Sequence, residues 1–199
     1  MTRPAALIEV TLEDGGTLEG GPFRGGGDRG PVRVDAREAF FRDEPRSFLF
    51  RGDVRAWQGE SLVLAEWLRG DEEEHKLTAG GGVRTVIVPE PDTSEAARAE
   101  SPTEVTAQEM TYLEEQGLLI YERDVVSEQD RRRLSCDRLQ VTLAESGETE
   151  ELVCTGDVRL VDAATGNDAR ADKAVYLPGE RRIELTGTPI AIVARSRGE

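Results

Sequence analysis

Several residue types that carry chemistry are scarce in this chain. Histidine occurs once and cysteine and methionine twice each, and aromatic residues make up only 5% of the 199 positions. Two cysteines, Cys136 and Cys154, are too few for a disulfide scaffold, and their separation matches no metal-binding spacing. A lone histidine, His75, sits inside the acidic run that starts Asp71-Glu72-Glu73-Glu74, which predicts a solvated turn rather than a catalytic base. Long apolar runs are missing too. None approaches the ~18 residues of a membrane span, and Glu9 interrupts the short apolar stretch at the N-terminus, so no signal-peptide pattern is expected there. Basic charge is in deficit: 25 Lys and Arg stand against 40 Asp and Glu, for a formal charge of −15. A chain so acidic repels nucleic acid and anionic surfaces at long range, so no nucleic-acid partner is expected. Phosphate-loop chemistry is absent as well. Gly25-Gly26-Gly27 and Gly80-Gly81-Gly82 lack the following Lys-Ser/Thr, and they read as linker and as turn or bulge.

What remains is ordinary for a folded domain, with 37% hydrophobic and 33% charged residues. Leu7 to Leu12 reads as a short strand ending at Asp14-Gly15-Gly16. Residues 20–31 hold six glycines and read as a flexible linker. A second linker-like stretch, rich in Pro, Glu, Ala and Ser, runs from Pro89 to Pro102. This divides the chain into an N-terminal strand and linker (1–31), a first repeat region (32–88), a linker or long loop (89–103) and a second repeat region (104–195). Ser94 to Glu100 and Thr106 to Gln116 have helical composition, but the second overlaps the repeat and is read as strand.

The repeat consists of two patterns in alternation. The first is a small residue, two polar or bulky residues, then an apolar residue. It occurs as Ala36-Arg-Glu-Ala39-Phe-Phe41, Ala65-Glu-Trp-Leu68, Ala107-Gln-Glu-Met110-Thr-Tyr112, Cys136-Asp-Arg-Leu139-Gln-Val141 and Ala171-Asp-Lys-Ala174-Val-Tyr176. The second ends in Gly-Asp-Val or a variant: Phe50-Arg-Gly-Asp-Val54, Ala79-Gly-Gly-Gly-Val83, Tyr121-Glu-Arg-Asp-Val125, Cys154-Thr-Gly-Asp-Val158 and Leu185-Thr-Gly-Thr-Pro-Ile190. The small residue recurs in steps of 29, 42, 29 and 35, and the one long step contains the Pro89–Pro102 stretch. A period near 30 fits stacked supersecondary units.

Within each unit the local period is two, which signals strands with one buried face. Leu152, Cys154, Gly156, Val158 and Leu160 alternate with Glu151, Val153, Thr155, Asp157 and Arg159. The first pattern changes phase between Ala36 and Ala39, which predicts an extra residue there and a bulge or corner. Each unit is then a bent strand, a polar turn such as Glu114–Gly117 or Pro178–Glu180, and a returning strand. Terminal strands near Val32 and Ile190–Val193 are expected to be open sheet edges, available for pairing.

The order of these motifs resembles the OstA-like domain of the periplasmic lipopolysaccharide-transport proteins, the LptA/LptC family. The best stretch is Val105 to Val193, with Val105-Thr-Ala-Gln-Glu-Met-Thr-Tyr112, Leu152-Val-Cys-Thr-Gly-Asp-Val158, Ala169-Arg-Ala-Asp-Lys-Ala-Val-Tyr176 and Ile183-Glu-Leu-Thr-Gly-Thr-Pro189. Residues 32–88 look like a more divergent copy. The resemblance implies an all-β fold, a twisted, elongated, V-shaped β-jellyroll of about five two-strand units. It implies a periplasmic location and a lipid-binding bridge or chaperone in lipopolysaccharide transport to the outer membrane. It implies lipopolysaccharide or a related lipid as ligand, and other jellyroll transport proteins or further copies of the chain as edge-strand partners. No catalysis, cofactor or metal is implied. The alternative reading is a structural β-repeat scaffold that docks partners through its edges.

On that basis Phe48, Phe50, Leu62, Leu64, Met110, Tyr112, Leu119, Tyr121, Leu139 and Val141 are the candidates to face inward and line an acyl-chain groove, or else to fill the core. Arg55, Arg84 and Arg159 follow the closing aliphatics and are candidate rim cations. Cys136 and Cys154 occupy positions held by Ala65 and Ala79 in the earlier copy. They are either small inward residues or the ends of a disulfide between adjacent strands, as an oxidising periplasm would permit. Asp53, Asp124 and Asp157 recur at a fixed place in the unit, read as outward turn or strand-surface residues rather than calcium ligands.

Overall fold

Alternating apolar and polar residues leave a chain few options but sheet, and the computed structural model is a single antiparallel sheet of 13 strands among the described residues. Those residues are 8–12, 32–88, 101–144, 148–180, 182–187 and 190–193. The strands are β1 (Ile8–Leu12), β2 (Val32–Ala36), β3 (Glu38–Asp43), β4 (Arg46–Gln58), β5 (Ser61–Asp71), β6 (Lys76–Ile87) and β7 (Thr103–Leu113). They continue as β8 (Leu118–Gln129), β9 (Arg132–Leu143), β10 (Thr149–Asp162), β11 (Asn167–Leu177), β12 (Arg182–Thr186) and β13 (Ala191–Val193). Neighbours in sequence are neighbours in the sheet, which runs β1-β2-β4-β5 and onward to β12, with β3 also on β4 and β13 also on β11. Counting β2 with β3 and β12 with β13 as broken strands, the five two-strand units are present. Thr106 to Gln116 is strand and turn as read, and the Glu114–Gly117 turn closes with the Gly117 N–H donating to the Glu114 carbonyl at 3.0 Å. The linker reading at 20–31 falls outside the described residues, as does that at 89–103 as far as residue 100, β7 starting at Thr103; β6 and β7, on either side of it, pair from Lys76↔Leu113 to Ile87↔Thr103.

The bend lies where the repeat changes phase, but its extra residue is on the other strand from the one expected. Arg51 pairs with Trp67 and Val54 with Ala65, so Gly52 and Asp53 together oppose Glu66 alone. The same excess falls on β6, β8 and β10, always in the Gly-Asp-Val pattern, while the first pattern supplies the shorter side. The backbone explains it. Two consecutive residues take positive φ at each site: Gly52 and Asp53, Gly81 and Gly82, Arg123 and Asp124, Gly156 and Asp157. Such a conformation is open to glycine and next most readily to Asn or Asp, which is why glycine and aspartate recur there. In the first pattern the phase change is a consequence of pairing across this bulge.

The bulges line up from strand to strand, so the whole sheet folds along one line. Thr85 pairs with Val105 on β7, yet its hydroxyl reaches Met110 Sδ at 3.9 Å. Five residues of straight strand span ~16 Å, so the strand must turn back on itself to make that contact. One continuous apolar core fills the fold, from Val32 to Ala174.

The expected edges are half right. β2 is paired on both sides, by β1 (Val10↔Val34) and by β4 (Val34↔Ala56), so Val32 is not at an edge. At the other end β13 does lie at the margin, paired through Ile192↔Ala169 to β11 alone among the described strands.

Candidate functional site

The fold line divides the interior into two facing walls. One is built of large side chains: Phe50, Leu68, Leu77, Met110, Tyr112, Leu119, Tyr121 and Leu139 are each at most 2% exposed. The other is built of small ones, Val54, Ala56, Val63, Val83, Thr85, Val105, Ala107, Val125 and Val158, all buried. Phe48 closes the large wall at the N-terminal end, its ring lying over Gly70 where any Cβ would collide with it. Phe48 and Phe50 are tilted neighbours at 5.4 Å, and Phe41 meets Phe50 edge-on at 5.7 Å.

Of the ten proposed lining residues, Phe48, Phe50, Met110, Tyr112, Leu119, Tyr121 and Leu139 are buried in this interior, and Val141 packs against it half-buried. Leu62 and Leu64 face the other way. They alternate with buried Ser61, Val63 and Ala65 and are only half-buried on the outer surface. Their placement inward is therefore corrected: β5 changes phase after Ala65, so the face that Leu68 shares is carried before the bend by Ser61 and Val63. Leu68, Leu77, Thr85 and the closing valines were not among the proposed residues. Their signal was the four-residue step from Phe50 to Val54, Ala79 to Val83 and Tyr121 to Val125, which keeps both ends inward across the bulge.

Two hydroxyls are stranded in the large wall. Tyr112 and Tyr121 are fully buried and neither hydroxyl has a well-formed hydrogen bond. Tyr121 lies beside Thr85 of the small wall, and burial pushes its phenol pKa up. A buried hydroxyl without a partner costs about 1–3 kcal/mol, and with the buried Thr85 these hydroxyls form a polar spot in a largely apolar interior.

Two of the three candidate rim arginines, Arg84 and Arg159, are engaged in pairs across strands. Arg84 Nε and Nη2 each donate to Glu104 at 2.8 Å. Arg159 donates twice to Asp168, at 3.1 and 2.7 Å, and this hydrogen-bonded guanidinium holds the Asp168 carboxyl below its ordinary range. Arg55 is exposed. The recurrent aspartates sit at the bulges: Asp53 pairs with Arg37, and Asp124 accepts from Gln108 Nε2 at 3.3 Å. His75 is half-exposed in its turn, with Nδ1 3.4 Å from Glu114, away from the interior. Among the described residues no cluster of three or more His, Cys, Asp or Glu is placed to hold a metal, and no helix is long and apolar enough to cross a membrane. Cys136 and Cys154 are both buried and free; the Cys136 thiol donates to the Arg138 carbonyl at 3.3 Å, and the two thiols are near enough to influence each other's ionisation.

The family model described as "LptA/(LptD N-terminal domain) LPS transport protein" matches residues 104–196. Residues 104–196, a little under half of the chain, are thus similar to that transport family. The preceding repeats, 32–88, continue their sheet with the same bulge and the same two walls. No curated protein matches. Among solved structures, 16 chains match. One is LptH of Pseudomonas aeruginosa, described as the LptA-homologous periplasmic component of the lipopolysaccharide transport device. It is 16% identical with a TM-score of 0.46, over 83% of this chain and 96% of that one.

Proposed function

We propose that this chain carries the acyl chains of lipopolysaccharide, or of a related lipid, between its two interior walls, as a bridge or chaperone of transport through the periplasm to the outer membrane. The carrying observation is the interior itself: one unbroken apolar core running from β2 to β11, in a sheet whose C-terminal half is similar to the LptA/LptD N-terminal family. An acyl chain placed there gains about 25 cal/mol per Å² of buried apolar surface, and no bond is made or broken. The unequal walls favour a site on the small side, where valine and alanine leave the shallower relief. Photo-crosslinkers at Phe50 and Tyr121 should capture lipopolysaccharide, while the same group at Leu62 or Leu64, on the outer face of β5, should not. Equal labelling inside and outside, or none inside, rejects the reading.

The ends of the sheet support association with other jellyrolls or with further copies. Phe40 and Phe41 on β3 are 51% and 60% exposed, and Ile192 and Val193 on β13 are 64% and 59% exposed. β3 has no second partner strand among those described. Strand addition between two such edges would extend the interior from one molecule to the next. The β-scaffold reading shares this observation and differs only in needing no lipid. Concentration-dependent oligomers that Ile192→Pro abolishes support edge pairing; the same oligomers in a protein that fails the crosslinking test favour the scaffold.

A further inference from the structure

We propose that Cys136 and Cys154 form a redox-active pair whose oxidation to a disulfide pins the two walls of the interior together at the β9–β10 corner. The two residues belong to different walls. Cys136 lies on the small wall, paired with Val125, and Cys154 on the large wall, paired with Leu139. Leu139 and Cys136 are three residues apart on β9, about 10 Å on a straight strand. The register shift between Thr155 and Arg159 reduces that separation by folding β10 over, which brings the two thiols near enough to influence each other's ionisation. No other described pair of side chains in this interior has two groups able to bond covalently across the fold line.

The pair has the chemistry for this. Burial disfavours the thiolate at both sites, and each thiol is placed to stabilise the thiolate of the other. The exchange opens with the thiolate of Cys136. It attacks one sulfur of a disulfide oxidant, of the small-molecule or oxidoreductase class, and expels a thiol. Cys154 then loses its proton and attacks Cys136 Sγ, which expels the second thiol. Two thiols of the protein lose two protons and two electrons, one S–S bond forms, and the oxidant's S–S bond becomes two thiols. Both cysteines are at most 6% exposed, so the oxidant enters when the corner opens, and the product bond resists reopening.

This inference relies on the transport reading only for an oxidising compartment, and its test separates the two. Reduced protein is incubated with oxidised glutathione, quenched in acid, unfolded, alkylated and mapped by mass spectrometry. The expected product is a chain lighter by two hydrogens with one Cys136–Cys154 linked peptide. Its Tm should rise by about 5–10 °C for a loop of this length, and the rise should vanish on reduction. Cys136→Ala and Cys154→Ala serve as controls, since Ala65 and Ala79 hold the equivalent places, and neither should show a rise. Lipopolysaccharide crosslinking at Tyr121 should fall on oxidation and return with dithiothreitol. Two singly alkylated cysteines after oxidation, stable glutathione adducts or linked dimers would overturn the proposal. Crosslinking in the reduced protein reports on the transport reading alone. Crosslinking unchanged by a confirmed disulfide would refute the pinning.

Discussion

The two walls of the interior come from the same strands, yet they are built from different residues. Before the bulge on β4, β6, β8 and β10 the chain places Phe50, Leu77, Tyr121 and their neighbours; after it come Val54, Val83, Val125 and Val158. A sheet folded on itself cannot seat large side chains on both faces at the usual spacing of about 10 Å. One wall must yield volume, and here it is the same wall in every unit. The large wall supplies most of the apolar area removed from water, and the small wall sets how closely the two approach.

The comparison breaks most visibly by truncation. Tyr121→Ala should cost about 3–5 kcal/mol, the range for removing a buried aromatic ring, whereas Val125→Ala, facing it across the fold line, should cost about 2 kcal/mol. Urea denaturation of both variants measures the difference. Similar losses at the two positions would mean that the walls share the load and that the asymmetry is only one of composition.

Enlargement asks the reverse question. Ala56 is fully buried on the small wall, and Ala56→Leu should cost about 1–3 kcal/mol by overpacking. If the small wall is where an acyl chain rests, the variant should also lose lipopolysaccharide crosslinking at Phe50. Ala56→Ser, nearly unchanged in volume, should keep it. A folded Ala56→Leu protein that crosslinks normally would move the lipid away from this wall.

The bulge that separates the walls gives a smaller, more local effect. Gly81 has φ +81°, and a Cβ there would stand 2.5 Å from Glu66 Cβ. Gly81→Ala should cost about 1–3 kcal/mol, while Gly82→Ala, with φ +91° but nothing within 4 Å, should cost less. Differential scanning calorimetry of the pair separates steric contact from backbone strain at the corner.

These positions also show what could be read from residues alone. The repeat, its period and its all-β character were legible because alternation and the Gly-Asp-Val signature are local. The large wall was legible in part, through Phe50, Met110, Tyr112 and Tyr121, because big apolar residues in step announce a buried face. Leu62 and Leu64 misled for the same reason: their alternation is perfect, and nothing within β5 shows which face the bend selects. That choice depends on the extra residues carried by the two strands paired with β5, at Gly52-Asp53 and Gly81-Gly82. The small wall was missed because valine and alanine are unremarkable until the opposing wall is known. The proximity of Cys136 and Cys154 was left open because a sequence separation says nothing about a fold line running between them.

The outer face of the small wall gives the smallest expected effect. Arg84–Glu104 and Arg159–Asp168 both lie there, beyond the bulge, each bidentate. Asp168 is held below its ordinary range by Arg159, so its contribution to stability is present above the carboxylate's unfolded pKa of about 3.9 and is lost as pH falls through the lower folded value. Arg159→Gln should return the Asp168 titration toward the ordinary range and remove that acid-side loss. Asp162, held low mainly by the Ala164 backbone N–H, should titrate as before. Carboxyl NMR shifts across the acid range read both residues in one sample. Because the pair is exposed, the accompanying change in stability at neutral pH should be close to nothing. A large loss there would show that the small wall is held from outside by its ion pairs rather than from inside by its fit to the large one.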